Sequence, residues 1–369
     1  MTGLDERPEV LSDADRGWLR VRTYLRDNRY SLAVQASREL YPGTPRVAGT
    51  PLLADPAWLP AEPLPLDSIA LELDTGEAPD LPPAPEPRYS ELIGRLAAPA
   101  VFENRPTYRL ISGRLDTADP ILVFGLGHYF DAVDTGESVA HEFAAIQLGE
   151  QAEAVQRCAI GDPVDPRRRP TNVAISALTI RRDIRTGDAR FLVHWRDPAK
   201  VGHAGGLFQV IPVGVFQQAT DHPDSVRNDF SLWRCLQREY AEELLGEAET
   251  PAVAGPIDYA AWSAAASLDE ERRRGTLRVY CLGMGVDPLT LATDLLVVTV
   301  VDDPVFDRLF AELVSGNAEG ELTSSDDGCV GHPFTAAEVE RLAYGEPMQA
   351  AGAALLALAW EHREALLAG

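Results

Sequence analysis

Three carboxylates and an arginine fall within little more than one helical turn in the run Arg238-Glu239-Tyr240-Ala241-Glu242-Glu243. At about 100° per residue, Glu239, Glu242 and Glu243 occupy roughly a 100° arc of a helix, so their oxygens can converge on one point. Like charges at that spacing repel. A hard divalent cation, Mg²⁺ or Mn²⁺, relieves the repulsion because it takes oxygen ligands and keeps water in its remaining positions. The plainer reading is a solvated acidic face, since glutamate favours helices and the whole protein is acidic. The flank of the segment speaks for a held site: Trp233, Leu236, Tyr240 and Leu244 recur at helical spacing as an apolar stripe, and Gly246 supplies a stop.

This segment resembles the Nudix box, whose core reads Arg-Glu, an apolar residue, any residue, then Glu-Glu; the match runs from Arg238 to Glu243. The resemblance implies that Glu239, Glu242 and Glu243 are metal ligands and catalytic, and that Arg238 braces the acidic cluster by pairing with it. It also implies that the strand and turn Leu207 to Gln218 deliver the box glycine, for which Gly214 is the candidate. The chain departs from the pattern in three places. From Gly214 to Arg238 it runs 24 residues, about ten more than the box, so Ala219 to Asn228 reads as an inserted loop. Phe230 stands where the box has a further carboxylate, with Asp229 beside it, and one extra residue, Leu245, lengthens the spacing from the Glu-Glu pair to Gly246.

A chain of 369 residues suggests roughly two domains. With 45% hydrophobic and 24% charged residues it has the composition of a soluble globular protein. The net charge of −24 argues against a nucleic-acid partner, which draws on clustered Lys and Arg, and makes a cation the more necessary if the ligand is a phosphate. Lys200 is the only lysine, and with abundant Ala, Gly and Pro this suggests a high-GC bacterial genome. Cys158, Cys235, Cys281 and Cys329 show no paired spacing for zinc, and with three of them near apolar runs they read as buried free thiols in a reducing cytoplasm. The start MTGLDERPEV has no apolar signal core, and no run approaches the length of a membrane span.

The pattern divides the chain into residues 1–165 and 166–369. The first part reads as a helix from Asp13 to Leu40, a Pro-rich stretch from Pro42 to Pro87, then strands and helices from Tyr89 to Leu148. Trp58 and the run Ile69 to Leu73 suggest that part of the Pro-rich stretch docks on a core. His141-Glu142 lacks the second histidine of a zinc protease, and Gly125-Leu126-Gly127 lacks the third glycine of a dinucleotide fingerprint. The second part begins after Arg167-Arg168-Arg169-Pro170 and alternates strands with helices, which gives an α/β fold. By the resemblance it is a Nudix-like α/β/α sandwich with a mixed sheet, preceded by an N-terminal α+β extension. The resemblance further implies that a carboxylate of a later loop serves as general base, extra ligand or substrate contact; in Asn317 to Gly331 the candidates are Glu319, Glu321, Asp326 and Asp327, against the alternative of a solvated loop.

Two functions follow from the resemblance. One is divalent-metal-dependent hydrolysis of a diphosphate linkage in a nucleoside diphosphate derivative. The other is a ligand-sensing or protein-binding module of the same fold with little turnover, which Phe230 and the inserted loop favour. A small nucleotide-like ligand, no membrane and a homodimeric assembly are the partner expectations.

Overall fold

The computed structural model describes residues 11–76, 86–99, 102–196, 206–247, 255–311, 320–323 and 330–368. Its centre is the pair β5 (Val173–Arg182) and β11 (Thr293–Asp302), parallel and in register from Val173 opposite Thr293 to Arg182 opposite Asp302. A central parallel strand is covered on both faces, which is why DLLVVTVV reads as a continuous apolar run without alternation. On one side β11 pairs antiparallel with β10 (Leu277–Val286), and β10 with β1 (Leu64–Pro65). On the other side β5 takes two short antiparallel partners at opposite ends: β9 (Val213–Val215) against Ala174 to Ser176, and β6 (Ala189–Phe191) against Ile180 to Arg182, with β13 (His332–Pro333) beyond β6. The protein is thus mixed α/β.

Successive residues of β5 serve opposite layers. Val173, Ile175 and Ala177 join the cluster that holds Leu236, Tyr240 and Leu244, whereas Leu178 and Ile180 join the cluster under the helix Ala350–Glu361. Helices therefore cover both faces of the main sheet.

The N-terminal segment is built into this core. β3 (Pro106–Arg114) and β4 (Ile121–His128) form an antiparallel pair, and β2 (Ala70–Leu73) adds parallel to β4. Tyr108 N donates to Phe216 O and Leu110 N to Thr171 O, which ties β3 to the start of β5. Within the Pro-rich stretch, β1 caps the edge of the main sheet, where the missing proline N–H costs nothing, and Trp58 is buried. A third sheet joins β7 (Val193–Arg196), β8 (Phe208–Val210) and β12 (Gly320–Thr323).

Several elements are shorter than the periodicity suggests. The first helix breaks at Asn28 into Asp13–Asp27 and Arg29–Glu39. The strand expected over Leu207 to Gln218 is interrupted at Ile211-Pro212 into β8 and β9, which belong to different sheets. The helix expected over Asp303 to Leu313 spans Asp303–Leu309, and the last helix, expected over Met348 to Leu367, splits into Ala350–Glu361 and Arg363–Leu367. No described helix is long and apolar enough to cross a membrane.

Candidate functional site

The acidic helix starts at Leu232, where the Ser231 hydroxyl accepts from Arg234 N, and runs as an α-helix to Glu239. Leu232, Trp233, Leu236, Tyr240 and Leu244 are all buried. Tyr240 Oη meets Thr179 Oγ1 of β5 at 2.9 Å, which fixes the helix on the sheet. Beyond Glu239 the backbone widens into a π turn, Tyr240–Leu244, and Gly246 ends it with a φ of 67°. The helical pitch assumed for the three glutamates therefore changes past Glu239.

Glu239 and Glu242 line a cavity of about 370 Å³. Glu243 does not; it is buried, and its Oε1 accepts from Val213 N at 2.9 Å. Gly214, the next residue, lies against Glu239: a β-carbon there would fall inside the van der Waals envelope of that carboxylate. Gly214 and the acidic helix thus meet, with Glu243 holding the strand and Glu239 filling the space in front of it.

Arg238 has a different task. It is fully buried, and its guanidinium donates to Tyr259 Oη at 2.6 Å and to Gln217 O at 2.7 Å, not to the three glutamates. Tyr259 Oη donates in turn to Asp229 Oδ1 at 3.0 Å, and Asp229 Oδ2 accepts from Ala219 N. Burial works against the charge on Arg238, but Cys235, Tyr259, Glu239 and Asp229 around it outweigh that and raise its pKa. One residue before Glu239, the arginine points about 100° away around the helix, toward Gln217 and Tyr259. Phe230 completes that side: its ring packs with Tyr108, Phe216 and Phe124 at centroid distances of 5.0, 5.8 and 5.9 Å. Phe230 is thus an aromatic joint to β3 and β4.

None of residues 219–228 lines the cavity. Its remaining walls come from residues that the sequence did not single out. Arg169 is buried, with Nη1 on Pro163 O at 2.6 Å and Nη2 on Thr293 Oγ1 at 3.0 Å, and burial pulls its pKa down to about 10. It is the third residue of what reads as a surface boundary, and the structure buries it while Arg167 and Arg168 stay exposed. Arg196, Gln349 and Asp294 also line the space, as does Glu137, which Arg22 and Arg29 of the two N-terminal helices clamp from behind. Only Asp294 carries a sequence signal, as the lone charge at the head of an apolar strand.

Among the late-loop candidates, Glu319, Asp326 and Asp327 lie outside the described residues, as do Lys200 and Cys329. Glu321 is exposed on β12 opposite Trp195 and does not line the cavity. Cys235 and Cys281 are buried free thiols as expected, whereas Cys158, also free, is exposed on the short helix Val155–Ile160. No group of three or more His, Cys, Asp or Glu side chains forms a metal cluster among the described residues. Two carboxylates facing a roomy cavity nevertheless fit Mg²⁺, which is commonly held by one or two carboxylates and completes its shell with water and substrate phosphate.

Compared with known proteins, the chain matches no family model and no curated protein.

Proposed function

We propose that the cavity binds a nucleoside diphosphate derivative with Mg²⁺ or Mn²⁺ and that the protein, a Nudix-like hydrolase of the bacterial cytoplasm, cleaves the diphosphate linkage. The observation that carries this reading is the lock between strand and helix: Glu239 seated on Gly214, Glu243 on Val213 N, and Glu242 beside Glu239 on one cavity wall. Glu239 and Glu242 would hold the cation, which when bound neutralises phosphate charge and lowers the pKa of an attacking water. Glu243 positions β9 and so sets where Gly214 and the cavity floor lie. Arg169 and Arg196 supply fixed positive charge for phosphate oxygens in a protein that otherwise repels anions. A homodimer is the assembly proposed for it.

The test is titration calorimetry with Mn²⁺ on the wild type, Glu239→Gln and Glu242→Gln, followed by a screen of nucleotide sugars, ADP-ribose and dinucleoside polyphosphates for released nucleotide. Equal heats in all three proteins would sink the metal site. The second reading, a ligand sensor, is favoured by Phe230 in its aromatic joint and by Arg238 turned away from the glutamates. Metal-dependent binding with no release across the screen would select it.

A further inference from the structure

Asp294 is 2% exposed and lines the cavity. It sits opposite Ala174 in register, and Val215 of β9 faces Ala174 from the other side, so Asp294 lies on the same sheet face as Ser176 two residues along β5. Ser176 Oγ donates to Asp294 Oδ1 at 2.8 Å, and this is its one hydrogen bond among the described residues. The second oxygen, Oδ2, accepts none and is not among the sealed-off polar atoms, so it opens into the cavity.

The charges around this carboxylate are Asp287, which accepts from Leu289 N and Thr290 N in the turn before β11, and Arg169, Arg196, Glu137, Glu239 and Glu242 on the cavity walls. No arginine forms an ion pair with it among the described residues. Burial pushes its carboxyl up to about 7, with Ser176 opposing the rise and Asp287 adding to it. A phosphate beside it would meet like charge in a dry setting. A hydroxyl or N–H would meet an oxygen with unused acceptor capacity.

We propose that Asp294, oriented by Ser176, is the binding point for the uncharged part of the ligand, accepting a hydrogen bond from a hydroxyl or amide N–H of a nucleoside diphosphate derivative while the diphosphate lies toward Glu239 and Glu242. The inference rests on the diphosphate reading of the cavity. Because a donor engages the ionised carboxylate, such a ligand drives a proton off Asp294 and binds more tightly as pH rises through about 7.

Calorimetry at pH 6.5 in buffers of different ionisation heat, with Mg²⁺ present, compares pyrophosphate with methylene-bridged analogues of ADP-ribose and UDP-glucose. At least one analogue should bind the wild type about tenfold or more tighter than pyrophosphate and release a fraction of a proton. Asp294→Asn should abolish the release, and Asp294→Leu should lower analogue affinity about tenfold without changing pyrophosphate affinity. Proton release that survives Asp294→Asn, or equal affinity for analogues and pyrophosphate, would overturn the assignment. If pyrophosphate itself fails to bind the wild type, the diphosphate reading fails first and this inference with it.

Discussion

The carboxylate of Glu239 occupies the space that a side chain on Gly214 would need. Gly214→Ala must push it aside. Glu239 is the far end of a flexible side chain, so the cost to stability is under about 1 kcal/mol, whereas Mn²⁺ affinity falls about tenfold or more because the ligand is displaced. Thermal unfolding and metal titration on the same variant check both halves; unchanged metal affinity would mean that Glu239 is not a ligand.

Glu242 and Glu243 are neighbours with different work. Glu243→Ala removes the acceptor of Val213 N and destabilises the fold by about 1–3 kcal/mol. Glu242→Ala, on a half-buried residue facing the cavity, shifts stability by less than about 0.5 kcal/mol. Urea unfolding ranks the two, and the reverse order would place Glu243 in the cavity and Glu242 in the frame.

Tyr259 holds Arg238 to Asp229 through a single hydroxyl. Removing it leaves the buried Arg238 Nη1 donor unmet, while Asp229 Oδ1 keeps its bond from Asn228 Nδ2, so Tyr259→Phe costs about 1–3 kcal/mol of stability. Because Arg238 does not touch the glutamates, Mn²⁺ affinity should stay within about twofold of wild type. A large loss of metal binding would restore the bracing role to this arginine.

His194 of β7 is 1% exposed, and neither ring nitrogen has a hydrogen-bond partner among the described residues. Burial and the nearby Arg196 depress its pKa to about 3, so the folded protein binds this proton less readily than the unfolded chain. Stability is therefore full above the ordinary histidine value of about 6.5 and is lost as pH falls from there toward 3. His194→Leu should remove that acid slope and be neutral or stabilising at pH 7, since it replaces unmet polar atoms with apolar ones. Unfolding midpoints at pH 4.5 and 7 for both proteins decide it; a strongly destabilised His194→Leu at pH 7 would show that the imidazole has a partner.

Local pattern made the acidic helix and its neighbours legible. The apolar stripe Trp233, Leu236, Tyr240 and Leu244 is buried, Gly246 adopts the left-handed turn expected of a stop, and β5 and β11 lie where apolar runs mark them. What periodicity could not carry was the change of helical pitch at Tyr240 or the interruption at Ile211-Pro212, because both depend on how the ends are hydrogen-bonded to other segments.

By itself the sequence determined an α/β protein with a carboxylate-rich helix and a glycine upstream of it, because side-chain period and helix stops are properties of neighbouring residues. Only the tertiary structure decided which carboxylates face the cavity and which brace the backbone. It also brought Arg169, Arg196, Glu137 and Asp294 to the same wall space from segments far apart in the chain. Those residues leave no local signature: a buried arginine and an exposed one read alike until the sheet register and the packing of the N-terminal segment place one of them against the core.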